Sequence, residues 1–236
     1  MTNRNRKQQQ KKTITRKKTS TEHEKYVRLT EKQKEFSKII EDNQIIVCTG
    51  PAGTAKTFVT MYTSLKLVSM GEYNTVITTK PIQESGEKLG FLPGDINEKI
   101  SPYMESFVLT LEKIIGKQET KLLVEKGVVE ARPLAYMRGS TFDLSIMILD
   151  EAQNCDLRQL ILFVTRMGET SKIIICGDVE QSDIGKGQSG LLDFIGILKN
   201  IKGTANFTFG REDIVRSKIL IEITDSYNKW KMKNNK

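Results

Sequence analysis

The sequence contains few cysteines and no long apolar segment. The three cysteines among its 236 residues, Cys48, Cys155 and Cys176, are too far apart for a disulfide framework or for the ligand spacing of a zinc site. We therefore expect reduced thiols that pack as small core residues. No apolar run reaches the roughly 20 residues that a membrane helix requires, and residues 1–30 lack the apolar segment of a secretion signal. These absences favour a cytoplasmic protein without a membrane span.

Acidic residues are absent from both ends of the chain. Overall, 37 lysines and arginines against 29 aspartates and glutamates give a net charge of +8. Residues 1–20 contain eight basic residues and residues 229–236 contain four, which leaves 25 basic and 29 acidic residues in 21–228, a net charge of −4. We expect a disordered basic arm (1–20), one globular domain (21–228) and a basic tail (229–236). The positive charge is therefore no argument that the domain itself binds nucleic acid.

Between these ends, short apolar segments alternate with amphipathic ones. This alternation predicts an α/β fold with a mostly parallel sheet flanked by helices on both faces. The long segment 80–97, rich in glycine and proline, is typical of a functional loop. The predicted strands are Ile45–Thr49, Thr75–Thr79, Val128–Ala131, Ser145–Asp150, Lys172–Gly177 and a last one around Phe207 and Phe209. The first predicted helix begins at Thr30, and the others cover Lys56–Met70, Ser101–Gly116 (with Ser101 as N-cap and Pro102 as first residue), Glu119–Lys126, 156–168, Ser189–Lys199 and Asp213–Trp230.

A glycine-rich turn lies between the first predicted strand and the helix after it. Its backbone N–H groups would wrap the phosphates of a nucleotide, Lys56 would reach the terminal phosphates, and the Thr57 hydroxyl would ligate Mg²⁺. Ala55 stands where such loops usually have their last glycine, and an alanine fits there if its φ angle is negative. The predicted phosphate loop consists of Gly50, Pro51, Ala52, Gly53, Thr54, Ala55, Lys56 and Thr57.

Two acidic residues follow the apolar strand that ends at Leu149. Asp150, at the carboxyl end of that strand, can hold Mg²⁺ through water. Its neighbour Glu151 can accept a proton from an attacking water or orient that water. Because a phosphate loop and an acidic strand end occur here in the order that a nucleotide hydrolase requires, we expect the chain to bind ATP with Mg²⁺.

Two glutamines are further candidates for nucleotide contact. Gln181, after the strand Lys172–Gly177, can sense a γ-phosphate through its amide, although taken by itself it is better explained as a polar loop residue. Gln33 lies 17 residues before Gly50, where its amide could pair with the adenine edge. It also lies three residues after Thr30, a spacing typical of a helix capping box. The spacing alone leaves both roles of Gln33 open.

These segments together resemble the PhoH-like ATPases, a family related to the superfamily 1 helicases. The resemblance extends from about residue 30 to residue 227, and its most specific parts are 86–103 and the letters ILDEAQN at 148–154. It implies a RecA-like P-loop NTPase core, ATP hydrolysis with Mg²⁺, and RNA or single-stranded nucleic acid as a partner. It also implies that Gln33 reads adenine, that Asp150 and Glu151 form the Walker B pair, and that Gln181 is the γ-phosphate sensor. The family pattern usually has glycine at 55, arginine at 80 and histidine at 217, where this chain has alanine, lysine and serine.

The length of the chain bears on assembly, since superfamily 1 helicases close their ATP site between two RecA-like domains and only one is expected here. ATP hydrolysis would still benefit from an arginine finger, which is worth about 10³–10⁵ in rate. In a ring, a neighbouring subunit would supply it. We therefore expect a ring-shaped homo-oligomer, and the resemblance suggests a hexamer. Arg211 and Arg216 are the candidate fingers. For Arg216 the alternative is a surface ion pair with Asp213.

Lys80 and Arg138, with the loop 81–95, are candidates for RNA contact, although both are equally explained as ordinary surface residues. Two other functions compete with an ATPase acting on nucleic acid. One is an RNA-binding module whose nucleotide site turns over slowly in a regulatory role, which the alanine at position 55 would suit. The other is a small-molecule phosphotransferase, against which Glu151 argues because it favours water as the nucleophile.

Overall fold

The computed structural model describes residues 27–81, 96–181 and 188–217 and, beyond these, positions 219, 221–223, 226, 230 and 233. Six strands form one sheet in the spatial order β3-β2-β4-β5-β1-β6, and neighbouring strands are parallel throughout. The strands are β1 Ile45–Thr49, β2 Thr75–Thr79, β3 Val129–Ala131, β4 Ser145–Leu149, β5 Lys172–Gly177 and β6 Thr204–Thr208. The helices are α1 Glu31–Asp42, α2 Lys56–Ser69, α3 Ile96–Ile115, α4 Lys117–Glu125, α5 Leu157–Val164 and α6 Leu191–Leu198.

Helices cover both faces of the sheet, which confirms the predicted RecA-like α/β class. Helices α1 to α4 pack on one face around core side chains that include Phe36, Met61 and Leu111. Helices α5 and α6 pack on the other face around Phe163 and Phe194. Because both faces are covered, the central strands β4 and β5 are buried along their whole length, as apolar and β-branched runs in parallel sheets usually are. All three cysteines are buried free thiols, as predicted.

The strand order brings three chain segments together at one edge of the sheet. In the order β4-β5-β1, the carboxyl ends of these strands lead into Asp150, Asp178 and Gly50 respectively. In open α/β sheets, ligands bind in the crevice outside the carboxyl ends of the strands. The fold therefore places the predicted phosphate loop and the predicted acidic pair on the same edge.

The predicted start of α3 is wrong. The helix begins at Ile96, so Ser101 is not an N-cap and Pro102 lies inside the helix. An interior proline lacks one backbone N–H donor, which costs a helix about 3 kcal/mol. Packing of the carboxyl half of the helix, where Phe107 and Leu111 are buried, is the tertiary contribution that a reading of the local sequence leaves out.

The predicted start of the last helix at Asp213 is also wrong. Asp213 ends a short 3₁₀ turn, Arg211–Asp213, and its carboxylate accepts a hydrogen bond from the Gly210 N–H at 2.7 Å. Residues 214–217 are not helical, whereas the described positions beyond 217 are. Within this non-helical stretch the Val215 N–H donates to the Gly53 carbonyl of the phosphate loop at 3.0 Å. Among the described residues, no helix is both long and apolar enough to cross a membrane.

Candidate nucleotide-binding site

The turn between β1 and α2 has the form of a phosphate loop. Helix α2 begins at Lys56, whose ammonium group folds back along the loop and donates to the carbonyls of Gly50 at 2.6 Å and Pro51 at 3.0 Å. The Thr54 hydroxyl donates to the same Pro51 carbonyl at 3.0 Å. These bonds hold the loop in a compact curve at the positive end of a 14-residue helix, which is a favourable place for an anion.

Two loop glycines are required by close packing against the segment after β6. A Cβ on Gly50 would lie 2.7 Å from the Phe209 carbonyl oxygen, and one on Gly53 would lie 2.8 Å from Cδ of Arg216. Both glycines also have positive φ angles, 145° and 92°. A side chain at either position would therefore be strained and would collide with its neighbour.

Ala55 adopts the left-handed conformation, with φ 68° and ψ 28°. The φ angle is therefore not negative, although a negative φ is what an alanine at this position would require to avoid strain. For an L-residue other than glycine this conformation costs about 1–2 kcal/mol. The strain lies at the N-cap of α2, directly before Lys56.

Ala55→Gly is therefore expected to stabilise the protein by about 0.5–1 kcal/mol, because relief of the strained φ outweighs the ~0.4–1 kcal/mol of added chain entropy in the unfolded state. Urea denaturation without nucleotide measures the change. Ala52→Gly in the same loop is the matched control, since Ala52 is not among the described residues with positive φ. That control should lose stability, and equal losses in both variants would contradict the strain.

The predicted metal pair is brought together from distant parts of the sequence. The Thr57 hydroxyl donates to Oδ2 of Asp150 at 2.8 Å, across 93 residues of chain. Burial and, after it, the nearby Glu151 carboxylate raise the pKa of Asp150 to about 6, although the Thr57 hydrogen bond and Lys56 oppose the shift. A hydroxyl beside a carboxylate supplies the hard oxygen ligands that Mg²⁺ prefers, so these two residues fit a magnesium site.

Glu151 has an unusual backbone. Its φ of 54° and ψ of 38° are left-handed, which turns the chain sharply from β4 into the 3₁₀ turn Ala152–Asn154. The side chain is exposed, and its Oε2 accepts a hydrogen bond from Nε2 of Gln153 at 2.6 Å. Strained non-glycine residues cluster at functional sites, so this conformation agrees with the predicted role of Glu151.

The prediction from sequence missed two buried polar residues at the same edge. Gln153 accepts the Asp178 N–H at 2.9 Å, and the Asp178 carboxylate accepts the Ala52 N–H of the phosphate loop at 3.2 Å. Gln153 belongs to the segment ILDEAQN that the sequence had already singled out, and Asp178 lies three residues before the predicted sensor Gln181. The one feature of the sequence that could have pointed to them is Gly177, the glycine directly before Asp178. In the structure, a Cβ at Gly177 would lie 3.2 Å from the Gln153 amide oxygen.

The capping-box interpretation of Gln33 is confirmed. Its Oε1 accepts the Thr30 N–H at 3.1 Å, and its own N–H donates to the Thr30 hydroxyl at 3.3 Å. The buried amide also donates from Nε2 to the Thr54 carbonyl at 3.4 Å, which ties helix α1 to the phosphate loop. Contact with adenine stays a prediction.

The structure separates the two candidate fingers. Both arginines are exposed, but the Arg216 side chain lies against Gly53 of its own chain, whereas Arg211 belongs to the 3₁₀ turn after β6. The alternative ion pair between Arg216 and Asp213 does not form among the described residues. The predicted sensor Gln181 follows β5 with an exposed side chain, and its N–H donates to the Asp178 carbonyl at 3.2 Å.

The candidate RNA contacts lie on the β2 and β3 side of the sheet. Lys80 follows β2 and donates to the Ser106 hydroxyl at 3.4 Å. Arg138 is exposed at the end of the 3₁₀ turn Leu134–Met137. Most of the candidate loop 81–95, namely residues 82–95, lies outside the described residues.

Comparison with known proteins agrees with this geometry. The sequence model of a family described as PhoH-like protein matches residues 26–228. The chain is 40% identical over 198 residues to a PhoH-like protein of Bacillus subtilis (strain 168), covering 84% of this chain and 62% of that protein. It is 37% identical over 201 residues to Protein PhoH of Escherichia coli (strain K12), covering 84% and 57%. The chain thus spans less than two thirds of the length of either relative.

Among solved structures, the large terminase from a thermophilic bacteriophage superposes with a TM-score of 0.51 at 12% sequence identity, covering 84% of this chain and 50% of that one. At this identity the likeness concerns the fold alone. It agrees with the parallel sheet flanked by helices found above. With a family match over most of its length and with the phosphate loop and the acidic strand end at one sheet edge, the chain belongs to the PhoH-like protein family and has a RecA-like P-loop NTPase core.

Proposed function

We propose that this chain is a Mg²⁺-dependent ATPase. The observation that carries the proposal is the 2.8 Å hydrogen bond between Thr57 and Asp150, because it joins the phosphate loop to the acidic end of β4. Thr57 and Asp150 would hold Mg²⁺, which when bound neutralises charge on the phosphates. Lys56 would leave the loop carbonyls to bind the terminal phosphates, and Glu151 would take the proton of the attacking water.

The second candidate function is an RNA-binding module whose nucleotide site turns over slowly. The left-handed Ala55 favours it, since the strain lies directly before Lys56. Release of phosphate from Mg²⁺-ATP, measured with and without single-stranded RNA, separates the two. Turnover that RNA stimulates supports the ATPase, whereas bound ATP with no turnover under either condition supports the regulatory module.

We propose RNA or single-stranded nucleic acid as the partner, bound near Lys80 and Arg138. The support is positional, because both cationic residues follow elements on the β2 and β3 side of the sheet. Arg138→Ala is expected to weaken binding of a single-stranded RNA several-fold, with a smaller salt dependence, and to leave ATP affinity unchanged. Fluorescence anisotropy at two salt concentrations measures it, with Arg158→Ala on α5 as the matched control. RNA affinity equal to wild type would remove Arg138 from the interface.

We also propose a ring-shaped homo-oligomer, as a hexamer, in which a neighbour completes each ATP site. Since Arg216 lies against Gly53 of its own chain, it favours a role within that chain. Arg211, in the 3₁₀ turn Arg211–Asp213, is then the candidate that reaches a neighbouring site. The basic ends, 1–20 and 229–236, would add sequence-independent attraction to nucleic acid.

Subunit mixing tests this assignment. Inactive Glu151→Gln chains mixed with Arg211→Ala chains should regain ATP turnover, because a mixed ring contains sites with an intact base and a neighbour's intact Arg211. The same mixture with Arg216→Ala should regain none. Mass measurement of the mixed assembly is the control for exchange of subunits. Recovery with Arg216→Ala and not with Arg211→Ala would reverse the two roles.

A further inference from the structure

Two buried polar side chains lie between the proposed base and the phosphate loop. Gln153 is 4% exposed and Asp178 is 5% exposed. A buried amide and a buried carboxylate are costly unless their hydrogen bonds are satisfied. The hydrogen-bond partners of Gln153 and Asp178 therefore show which groups fix these side chains and which groups these side chains fix.

Gln153 is fixed at both ends of its amide. Its Nε2 donates to Oε2 of Glu151 at 2.6 Å, and its Oε1 accepts the Asp178 N–H at 2.9 Å. Since the Asp178 backbone N–H is a donor, the amide oxygen must face it, and the amide N–H₂ group then faces Glu151. Gln153 thereby holds an exposed carboxylate that would otherwise sample several rotamers.

The Asp178 carboxylate continues the connection to the phosphate loop. Its Oδ2 accepts the Ala52 N–H at 3.2 Å, and its Oδ1 accepts the Glu180 N–H at 3.0 Å. An unbroken series of hydrogen bonds thus runs from Glu151 through Gln153 and Asp178 to Ala52. A side chain at Gly177 would crowd this series, because a Cβ there would lie 3.2 Å from the Gln153 amide oxygen.

We infer that Gln153 and Asp178 are positioning residues that align Glu151 with the phosphate loop. This inference rests on the proposed ATPase function. A general base works only within hydrogen-bond reach of the proton that it removes, so its orientation is part of its effect on rate. Because the alignment passes through Ala52, the position of the loop determines the position of the base.

Gln153→Leu tests the alignment, since leucine has a similar size and forms neither hydrogen bond. We expect kcat to fall about ten- to a hundredfold, a part of the 10²–10⁴ that general-base catalysis contributes. Affinity for a non-hydrolysable ATP analogue should change less than about threefold, and amide hydrogen exchange at Ala52 should quicken several-fold. Gln159→Leu is the matched control, because Gln159 also accepts a backbone N–H, that of Asp156, in a capping box on α5.

A second pair of variants keeps the test independent of folding at position 153. Asp178→Asn retains an acceptor for the Ala52 N–H, and Asp178→Ala does not. We expect turnover and Ala52 protection to decrease in the order wild type, Asn, Ala. Turnover of Gln153→Leu at the wild-type rate, or a loss matched by lost nucleotide affinity, would overturn the inference.

A wild-type chain that hydrolyses no ATP would overturn the proposed function instead. In that case hydrogen exchange at Ala52, measured without nucleotide, decides the inference separately. Faster exchange in both Gln153→Leu and Asp178→Ala, with none in Gln159→Leu, supports the connection. Exchange equal to wild type in both variants refutes it.

Discussion

Glu151→Gln is expected to lower ATP turnover about 10²–10⁴-fold and to leave ATP affinity within a few-fold of wild type, because an amide cannot take a proton from water. The change is nearly isosteric, and the new amide oxygen still accepts the hydrogen bond that Gln153 donates at 2.6 Å. Lys56, Thr57 and Asp150, which would bind the phosphates and Mg²⁺, are unaltered. Single-turnover kinetics together with an equilibrium ATP titration separate the two effects.

Glu180→Gln is the matched control for this substitution. Glu180 is also an exposed carboxylate after a central strand, and it contacts Asp178 through its backbone N–H rather than its side chain. We expect turnover of this variant within about twofold of wild type. Loss of ATP affinity equal to the loss of turnover in Glu151→Gln would show that Glu151 binds nucleotide rather than acting as the base.

Asp150→Asn is expected to raise the free energy of unfolding of the metal-free protein and to abolish the further stabilisation that Mg²⁺ gives the wild type. Burial and the nearby Glu151 raise the pKa of Asp150 to about 6 from an ordinary 3.8. Holding this carboxylate ionised in the folded state therefore costs about 3 kcal/mol at pH 8. Asparagine carries no charge, and its oxygen can still accept the hydrogen bond from Thr57.

The pH dependence fixes the sign of this effect. Because the folded pKa lies above the unfolded pKa, the cost is absent below pH 3.8, grows as the pH rises through 6 and is complete above that. The gain in unfolding free energy of Asp150→Asn should thus vanish near pH 3.8 and approach ~3 kcal/mol at pH 8. Urea denaturation in EDTA measures it, and added Mg²⁺ should stabilise only the wild type.

Asp156→Asn provides the control for a general effect of removing an acidic group. Asp156 is the N-cap of α5, and asparagine caps a helix about as well as aspartate. We expect a change in unfolding free energy near zero at both pH values. A variant Asp150→Asn that is less stable than wild type at pH 8 would mean that the carboxylate is held by favourable contacts rather than at a cost in stability.

Local sequence was sufficient for the central strands and for the loop between β1 and α2. The bounds of β1, β2 and β5 were predicted to the residue, because apolar β-branched runs there are bounded by glycine and polar residues. Local sequence gave the wrong helix start at Pro102 and Asp213, two residue types that are typical of helix starts. Pro102 lies inside α3, and Asp213 ends a 3₁₀ turn. Just after Asp213 the chain contacts a distant segment through the hydrogen bond from Val215 to Gly53, which local sequence does not reveal.

In the candidate site, too, some features were predictable from sequence and others were not. Lys56, Thr57, Asp150 and Glu151 were predictable, since each is placed by its own strand end and the strands converge at one edge. The left-handed φ of Ala55 was not, because it depends on how the loop packs in three dimensions.

Long-range side-chain contacts were equally hidden. The hydrogen bond that joins Gln153 and Asp178 spans 25 residues, and the one from Ala52 to Asp178 spans 126. Spacing along the chain carries no information about contacts of this kind. The structure was needed to show that the base and the phosphate loop are connected.

The most direct test of the central claim is hydrolysis of Mg²⁺-ATP by the wild type, Lys56→Ala and Lys66→Ala. Both lysines belong to α2, but Lys66 pairs with Glu41 on the surface at 2.7 Å and lies outside the site. We predict that the wild type and Lys66→Ala hydrolyse ATP at similar rates, and that Lys56→Ala loses both ATP binding and hydrolysis. Equal hydrolysis by all three proteins, or none by the wild type with and without RNA, would contradict the assignment of this site as an ATPase.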